Sequence, residues 1–234
     1  MKPDNTIRAW TMTLLIAGTA WTASAQHGHL NAGAVGQNQG DALSFVNGDI
    51  FAASSGYVKE LPLATSGTYA GYYEGGITLT ALPGTVANGG PAAGAAAAGS
   101  FLMVGITSVQ GPAGGSFSLW EEGATSPTLS YSVGYDVVSP TSLVALSDAS
   151  AGAGILGGDP YGHLHGRRFT ATEPGLYTVE FRLFDTSVNG AGGAPIHTPS
   201  AELPIQFNAV PEPSVVSLLA VGGLGLLLVR RRRG

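Results

Sequence analysis

The stretch Phe169-Thr-Ala-Thr-Glu-Pro-Gly-Leu-Tyr-Thr-Val-Glu-Phe-Arg-Leu-Phe184 decides the fold expected for this chain. Its centre, Glu173-Pro174-Gly175, is a turn signal, because proline presets φ and glycine supplies a conformation that other residues avoid. After the turn, apolar and polar residues alternate, and successive side chains of a strand point to opposite faces. One face carries Tyr177, Val179, Phe181 and Leu183, and the other carries Thr178, Glu180 and Arg182. The stretch therefore predicts two strands joined by a tight turn.

The rest of the central chain repeats this character. The sequence contains 36 glycines, and short segments rich in β-branched and aromatic residues are separated by Gly, Pro, Asn or Asp. The expected strands lie at 45–46, 57–63, 68–73, 77–82, 101–109, 116–121, 128–133, 168–172, 176–184 and 203–207. Strands at this spacing predict an all-β fold, an antiparallel sandwich. The Pro-Gly-x-Tyr-x-Val-x-Phe string at 174–181 resembles a late strand pair of immunoglobulin-like sandwiches in bacterial surface proteins, which implies an immunoglobulin-like antiparallel β-sandwich.

Residues 84–100 form a low-complexity segment of small residues, mostly glycine and alanine. It lacks the large side chains whose burial would offset the entropy of ordering it. We therefore expect a long surface loop within one β-sandwich domain that covers residues 26–209.

The N-terminus has the organisation of a secretory signal peptide. Lys2 and Arg8 precede a short apolar stretch at 11–21, and small residues follow at Ala23-Ser24-Ala25. This order of basic, apolar and small residues predicts export and cleavage after residue 25.

The C-terminus has the organisation of a sorting and anchoring tail, residues 210–234. Pro211, Glu212 and Pro213 introduce an uncharged apolar run at 214–229, which is long enough for a short transmembrane helix. A basic cluster follows, Arg230, Arg231, Arg232 and Arg233. The positive-inside rule places these arginines in the cytoplasm and the upstream domain outside the inner membrane.

Motif, span and arginines in this order resemble the tail of PEP-CTERM proteins, which bacteria export and pass to an exosortase. The resemblance covers about two dozen residues at the end of the chain. It implies an exosortase-type processing enzyme as partner, the inner membrane as a transient anchor, and the cell envelope, cell surface or extracellular matrix with its exopolysaccharide as destination. It implies processing near Pro211-Glu212-Pro213.

Composition excludes several classes of partner and stabilisation. Residues 26–210 contain four basic residues against thirteen acidic ones, and binding to nucleic acid needs clustered cations. We therefore expect no nucleic-acid partner. Cysteine is absent from the chain, so no disulfide stabilises it.

The histidines are the strongest chemical signal. Four of the five form two His-x-His pairs, His27/His29 and His163/His165. On a strand, positions i and i+2 share a face, so each pair can present two imidazoles to one ion. Two pairs together would make a four-nitrogen zinc or copper site, with Asp159 as an extra ligand or second-shell partner and His197 as a further candidate. The alternative is that the pairs are solvent-exposed strand residues and a frayed N-terminus.

Other candidate sites are weaker. Gly152-Ala-Gly-Ile-Leu-Gly157 matches a dinucleotide fingerprint, but Gly158-Asp159-Pro160 prevents the helix that this motif requires, so a glycine-rich loop is expected. Adjacent Glu121 and Glu122 face opposite ways on a strand and do not make a glycosidase pair. Four aromatic residues suggest either a sugar-stacking face or core packing, Trp120, Tyr69, Tyr72 and Tyr73.

The sequence therefore predicts an exported, membrane-anchored or exosortase-processed protein with a structural or binding role and without catalysis. No cofactor is indicated with certainty for such a protein, and zinc or copper are the candidates. The alternative is a surface protein that binds zinc or copper through His27, His29, His163 and His165. A further alternative is a secreted hydrolase, which would need a pocket with convergent carboxylates.

Overall fold

The computed structural model describes residues 28–84, 90–164 and 167–211. Within these residues the regular structure is dominated by strands, with a short helix, α1 (Gly48–Phe51), and brief 3-10 turns. The strands in chain order are β1 (His29–Ala34), β2 (Leu43–Phe45), β3 (Val58–Pro62), β4 (Tyr73–Gly75), β5 (Thr78–Ala81), β6 (Leu102–Gln110), β7 (Ser116–Trp120), β8 (Leu129–Ser132), β9 (Tyr135–Asp136), β10 (Val144–Ala145), β11 (Gly162–Leu164), β12 (Arg168–Ala171), β13 (Gly175–Asp185) and β14 (Leu203–Val210). The predicted all-β class is confirmed.

The strands form three hydrogen-bonded sheets. The first has the order β11-β5-β1-β2, the second β10-β6-β13-β14-β3, and the third β4-β12-β7-β8, while β9 pairs with β6. Two of the pairings, β1 with β5 and β14 with β3, are parallel, and the remaining pairs between these strands are antiparallel.

Two stretches of chain link the first and third sheets, because each stretch contributes one strand to each sheet. β4 and β5 follow each other in sequence, as do β11 and β12, and β4 pairs with β12 while β5 pairs with β11. The register slips by one residue between the two ladders, since Gly75 lies opposite Phe169 whereas Thr80 lies opposite His163. The two sheets are therefore successive parts of one interrupted antiparallel ladder.

An aromatic cluster holds the second and third sheets face to face. The rings of Phe117 on β7 and Phe207 on β14 lie 4.8 Å apart, and those of Phe169 on β12 and Phe181 on β13 lie 5.6 Å apart. Burial of such rings removes a large apolar area from water and is the main favourable term for this fold. The inward face predicted for β13 is confirmed, because its alternate side chains are fully or almost fully buried, Tyr177, Val179, Phe181 and Leu183.

The turn at Glu173-Pro174-Gly175 is present, but it connects two sheets and not two neighbouring strands. β12 belongs to the third sheet and β13 to the second. Gly175 adopts φ of 128°, and a Cβ atom there would lie 2.9 Å from Cγ of Pro112. Glycine is therefore required at this corner by both backbone conformation and space.

Two local expectations are wrong. Residues 68–72 form turns where a strand was expected, because Gly67 and Gly71 adopt positive φ values that a strand does not contain. The segment 84–100 lacks strand and helix in its described part, but Ala95, Ala96 and Ala97 are buried and do not lie at the surface. Their small side chains fit against the sheet, and the Ala34 amide donates to the Gly94 carbonyl at 2.8 Å.

Most of the two predicted ends lies outside the described residues. This applies to the signal peptide 1–25, to Glu212 and Pro213, to the apolar run 214–229 and to the arginines at 230–233, whereas Pro211 is described. In the described ranges, no helix has both the length and the apolar character needed to cross a bilayer.

Candidate functional site

Two histidines meet on the outward face of the first sheet. β5 lies between β1 and β11, with His29 opposite Thr78 and His163 opposite Thr80. The imidazole rings of His29 and His163 stack with centroids 4.8 Å apart and an interplanar angle of 25°. The alternate residues Leu30 and Leu79 are buried on the opposite face. Strand alternation therefore directs the core residues inward and the histidines outward.

The hydroxyl of Thr80 connects the two rings. Its Oγ1 lies 3.1 Å from Nδ1 of His29 and 2.9 Å from Nδ1 of His163. A hydroxyl donates one hydrogen and accepts through its lone pairs. Because the Thr80 hydroxyl can donate to one Nδ1 at most, at least one of the two rings carries its hydrogen on Nδ1 and donates it to Thr80. The Thr80 side chain thus joins three strands.

The metal site predicted at His27, His29, His163 and His165 stays a prediction. The structure brings together His29 and His163, one member of each predicted pair, while His27 and His165 lie outside the described residues. Asp159 accepts hydrogen bonds through Oδ1 from the amides of Gly84 and Tyr161, at 2.7 and 3.0 Å. No group of three or more histidine or carboxylate side chains suited to a metal ion occurs among the residues that the structure describes. The described residues therefore bring two imidazoles together at this site, those of His29 and His163.

His197 has a structural role and does not join this site. It is 3% exposed, its Nε2 accepts from the Ala97 amide at 2.9 Å, and its Nδ1 lies 3.0 Å from the Asp41 carbonyl. Because Nε2 accepts, the proton of the neutral ring resides on Nδ1 and is donated to Asp41. Both ring nitrogens are engaged with backbone, so this imidazole is not available to a metal.

The carboxylate of Asp185 is a second buried polar centre that the sequence analysis missed. Oδ1 accepts from the amides of Phe101 and Ser187, and Oδ2 accepts from the amides of Ile196 and His197, at 2.9–3.1 Å. Four amides satisfy the lone pairs of a side chain that is 6% exposed. The signal was present in Asp185-Thr-Ser187, since an aspartate that bonds the amide two residues later makes an Asx turn.

The aromatic residues considered for sugar stacking divide between two faces. Trp120 is 1% exposed and donates through Nε1 to Thr170 at 2.8 Å, while Tyr69 and Tyr72 meet it edge-on at 5.0 and 5.5 Å. Tyr73 is buried on the core side. Trp120 and Tyr73 therefore have the packing role, and their ring faces are closed to a ligand.

Glu121 is engaged by a buried arginine. Nε and Nη2 of Arg167 donate to Oε2 and Oε1 of Glu121 at 2.9 and 3.3 Å. Burial lowers the pKa of Arg167, and the bond to Glu121 opposes that shift. The bidentate geometry is that of a strong charge-assisted pair.

The expected glycine-rich loop at 152–157 is confirmed, because these residues form turns that follow the 3-10 turn Ala149–Ala151.

A groove lies beside β8 of the third sheet and β9, which pairs with β6 of the second sheet. Its volume is about 570 Å3, and it is lined by residues 130–135 together with Thr141 and Ser142. Tyr131 and Tyr135 lie side by side there, with ring centroids 4.7 Å apart. Burial, and secondarily the neighbouring Tyr135, raises the pKa of Tyr131 to about 12. The sequence pattern predicts a strand over 128–133 but carries no signal of the groove.

Comparisons with models of protein families, with curated proteins and with solved structures found no match to this chain.

Proposed function

We propose that this chain is an exported cell-envelope protein whose β domain has a structural or binding role. Its C-terminal tail is a PEP-CTERM-like sorting signal that holds the protein in the inner membrane until an exosortase-type enzyme removes it. The supporting observation is the position of β14. This strand lies between β13 and β3, and it ends at Val210, immediately before Pro211. Cleavage near residues 211–213 would therefore leave every strand of the second sheet in place.

We infer further that the β domain is an immunoglobulin-like antiparallel sandwich. The order β6-β13-β14 supports this proposal, since three successive antiparallel strands of this kind form one sheet of that fold. The start of β13 supports it as well. The Tyr177 hydroxyl donates to the Glu173 carbonyl at 3.0 Å and accepts from the Glu173 amide at 3.2 Å, in the manner of a tyrosine corner. The parallel pairing of β1 with β5 departs from a purely antiparallel sandwich.

Cell fractionation tests the sorting proposal. The full chain is expressed in a Gram-negative host that has an exosortase-type enzyme, beside a variant with Pro211→Ala, Glu212→Ala and Pro213→Ala. We expect the unaltered chain at the cell surface or in the medium, and the variant in the inner membrane. Equal distribution of the two chains would contradict a sorting role for the motif.

A second function, zinc or copper binding, is favoured by the meeting of His29 and His163. Their Nδ1 atoms both lie within about 3 Å of Thr80 Oγ1, and zinc–nitrogen bonds are about 2.0–2.1 Å long. Binding of one ion through both Nδ1 atoms would replace their hydrogen bonds to Thr80, so both rings would have to reorient. His27 and His165, two residues away from these positions, complete the proposed ligand set. The third alternative, a secreted hydrolase, gains no support from a particular contact in the described part of the chain.

Metal titration tests this second function. Zinc and copper are titrated into the purified full chain and into His29→Ala and His163→Ala variants. We expect micromolar or tighter binding that each substitution weakens. Thr80→Val is the matched control, because it keeps both imidazoles and the side-chain shape while removing the hydroxyl, and it is expected to bind metal. Equal affinity in the two histidine variants and the unaltered chain would overturn the metal site.

A further inference from the structure

Trp120 is buried although it lies on the outward side of the third sheet. Its neighbours on β7, Phe117 and Leu119, belong to the hydrophobic core, and alternation along the strand directs Trp120 to the other side. The Trp120 side chain is 1% exposed and is not part of that core. Thr170 and Ser118 lie on the same outward side and are also buried. A segment outside the two facing sheets therefore covers this side of β7 and β12.

The segment that covers Trp120 connects β3 with β4, and we call it the strap, residues 64–72. The rings of Tyr69 and Tyr72 meet the Trp120 ring edge-on, with centroids 5.0 and 5.5 Å apart. The two ends of the strap meet, because the Ala64 amide donates to the Tyr72 carbonyl at 2.8 Å. A compact surface loop with adjacent ends has the form of an Ω-loop. The strap can therefore move as one piece about its closed base.

The strap is only weakly fastened to the strands beneath it. Its hydrogen bonds stay within the strap, such as those from the Ala70 amide to the Gly67 carbonyl at 3.2 Å and from the Tyr72 amide to the Tyr69 carbonyl at 2.9 Å. Among the described residues, no hydrogen bond or ion pair joins it to β7 or β12, and it contains no charged side chain. A segment that side-chain contacts alone hold down opens at a lower free energy than the strands of a sheet.

We propose that the strap is a lid over Trp120, which opens by local motion while the three sheets stay folded. The bridge between Leu63 and Tyr73 is the base of the lid and stays in place. Opening uncovers the indole of Trp120 beside the hydroxyls of Ser118 and Thr170, so the strap controls access to this surface. The lid goes beyond the role proposed above, and it depends neither on the sorting tail nor on metal binding.

Hydrogen exchange of the Trp120 indole, followed by NMR, tests the lid. The sample is the isotopically labelled full chain in a zwitterionic detergent, with Trp10→Phe and Trp21→Phe, so that Trp120 is the only indole. The indole N–H is buried and donates to Thr170 at 2.8 Å, so it exchanges only when the strap opens or the domain unfolds. After correction for intrinsic rates, we expect it to exchange at least about tenfold faster than the β13 amides. Low urea should not change its rate, because a local opening exposes little surface.

Tyr69→Ala removes one of the two ring contacts that hold the strap closed. We expect it to raise the exchange rate of the indole about tenfold, because the closed state loses an aromatic contact, and to leave the β13 amides unchanged. Tyr135→Ala is the matched control, because Tyr135 is also a half-buried tyrosine with a ring contact, but it lies beside β8 and β9, away from the strap. This variant should leave the exchange rate of the indole unchanged.

Three results would overturn the lid. The first is an indole that exchanges no faster than the β13 amides, because Trp120 would then be exposed only by global unfolding. The second is an unchanged indole rate in Tyr69→Ala. The third is an equal rise in Tyr69→Ala and Tyr135→Ala. The experiment uses the purified chain, so its outcome is independent of the sorting experiment in cells.

Discussion

Thr80 lies within hydrogen-bond distance of two histidines that are far apart in sequence. The His-x-His pairs at 27/29 and 163/165 predict that imidazoles share a face, but not that the two pairs meet. His29 and His163 meet because β5 lies between their strands and Thr80 bonds both rings, across separations of 51 and 83 residues. Local sequence does not encode such pairings, so the convergence of His29 and His163 was a hypothesis until the sheet order was known.

His197 provides a residue-scale prediction for stability. His197→Leu keeps much of the side-chain volume but leaves the Ala97 amide without its partner and removes one of the two hydrogen bonds of the Asp41 carbonyl, which still accepts from the Thr198 amide. Because a buried polar group left unpaired costs about 1–3 kcal/mol, we expect the free energy of unfolding to fall by that amount. Urea unfolding measures it. His163→Ala, at the half-buried outer face, is the comparison, and an equal effect of both substitutions would contradict the structural role of His197.

Tyr131 provides a prediction for alkaline pH. Its pKa is raised from 10.0 to about 12 in the folded chain, so the folded state keeps a proton that the unfolded state loses between these values. The stability that this gives is complete below pH 10 and is lost as pH rises through about 12, by up to about 2–3 kcal/mol. We expect the unfolding free energies of Tyr131→Phe and the unaltered chain to diverge over this window. Parallel pH profiles would contradict the shift.

At the scale of elements, the corner between β12 and β13 joins two sheets. The Glu173-Pro174-Gly175 turn was predicted from the sequence, but its position was not, because a turn motif does not specify whether the next strand pairs with the previous one. The Tyr177 hydroxyl fixes the corner by bonding both backbone groups of Glu173. Gly111 and Gly115 leave room for this side chain, since a Cβ at Gly111 would lie 2.6 Å from a ring carbon of Tyr177 and a Cβ at Gly115 would lie 2.5 Å from its hydroxyl oxygen.

This corner gives an element-scale prediction. Tyr177→Phe keeps the buried ring and removes both hydrogen bonds to Glu173, so we expect a loss of about 1–2 kcal/mol in unfolding free energy. Equilibrium denaturation by urea measures the change. Tyr135→Phe is the control, because it also removes a phenol hydroxyl but leaves the hydrogen bonds of Tyr177 to Glu173 intact. A loss no larger than in the control would show that the hydroxyl does not hold the corner.

Alternation and turn chemistry predicted the elements that carry their own pattern. β13 has four inward apolar residues and three outward polar ones, and its faces were assigned correctly. β1, His29-Leu-Asn-Ala-Gly-Ala34, has small and polar residues without strand propensity, and it becomes a strand because β5 and β2 pair with its two edges. The burial of the alanines at 95–97 was not predicted for the same reason, because the segments that bury them are distant in sequence.

At the scale of the whole molecule, the position at which β14 ends is compatible with the proposed removal of the C-terminal tail. It is an interior strand of the second sheet, and its inward side chains belong to the aromatic core, yet it ends one residue before the Pro-Glu-Pro motif. Removal of the residues after Pro211 would leave every strand of the second sheet in the chain. This arrangement is what a cleavable sorting tail requires.

Intact-mass spectrometry of the chain recovered from the surface of an exosortase-containing host tests the central claim most directly. The account predicts a product that begins near Gln26 and ends near residues 211–213, without Arg230, Arg231, Arg232 and Arg233. A surface protein that retains these arginines would contradict it.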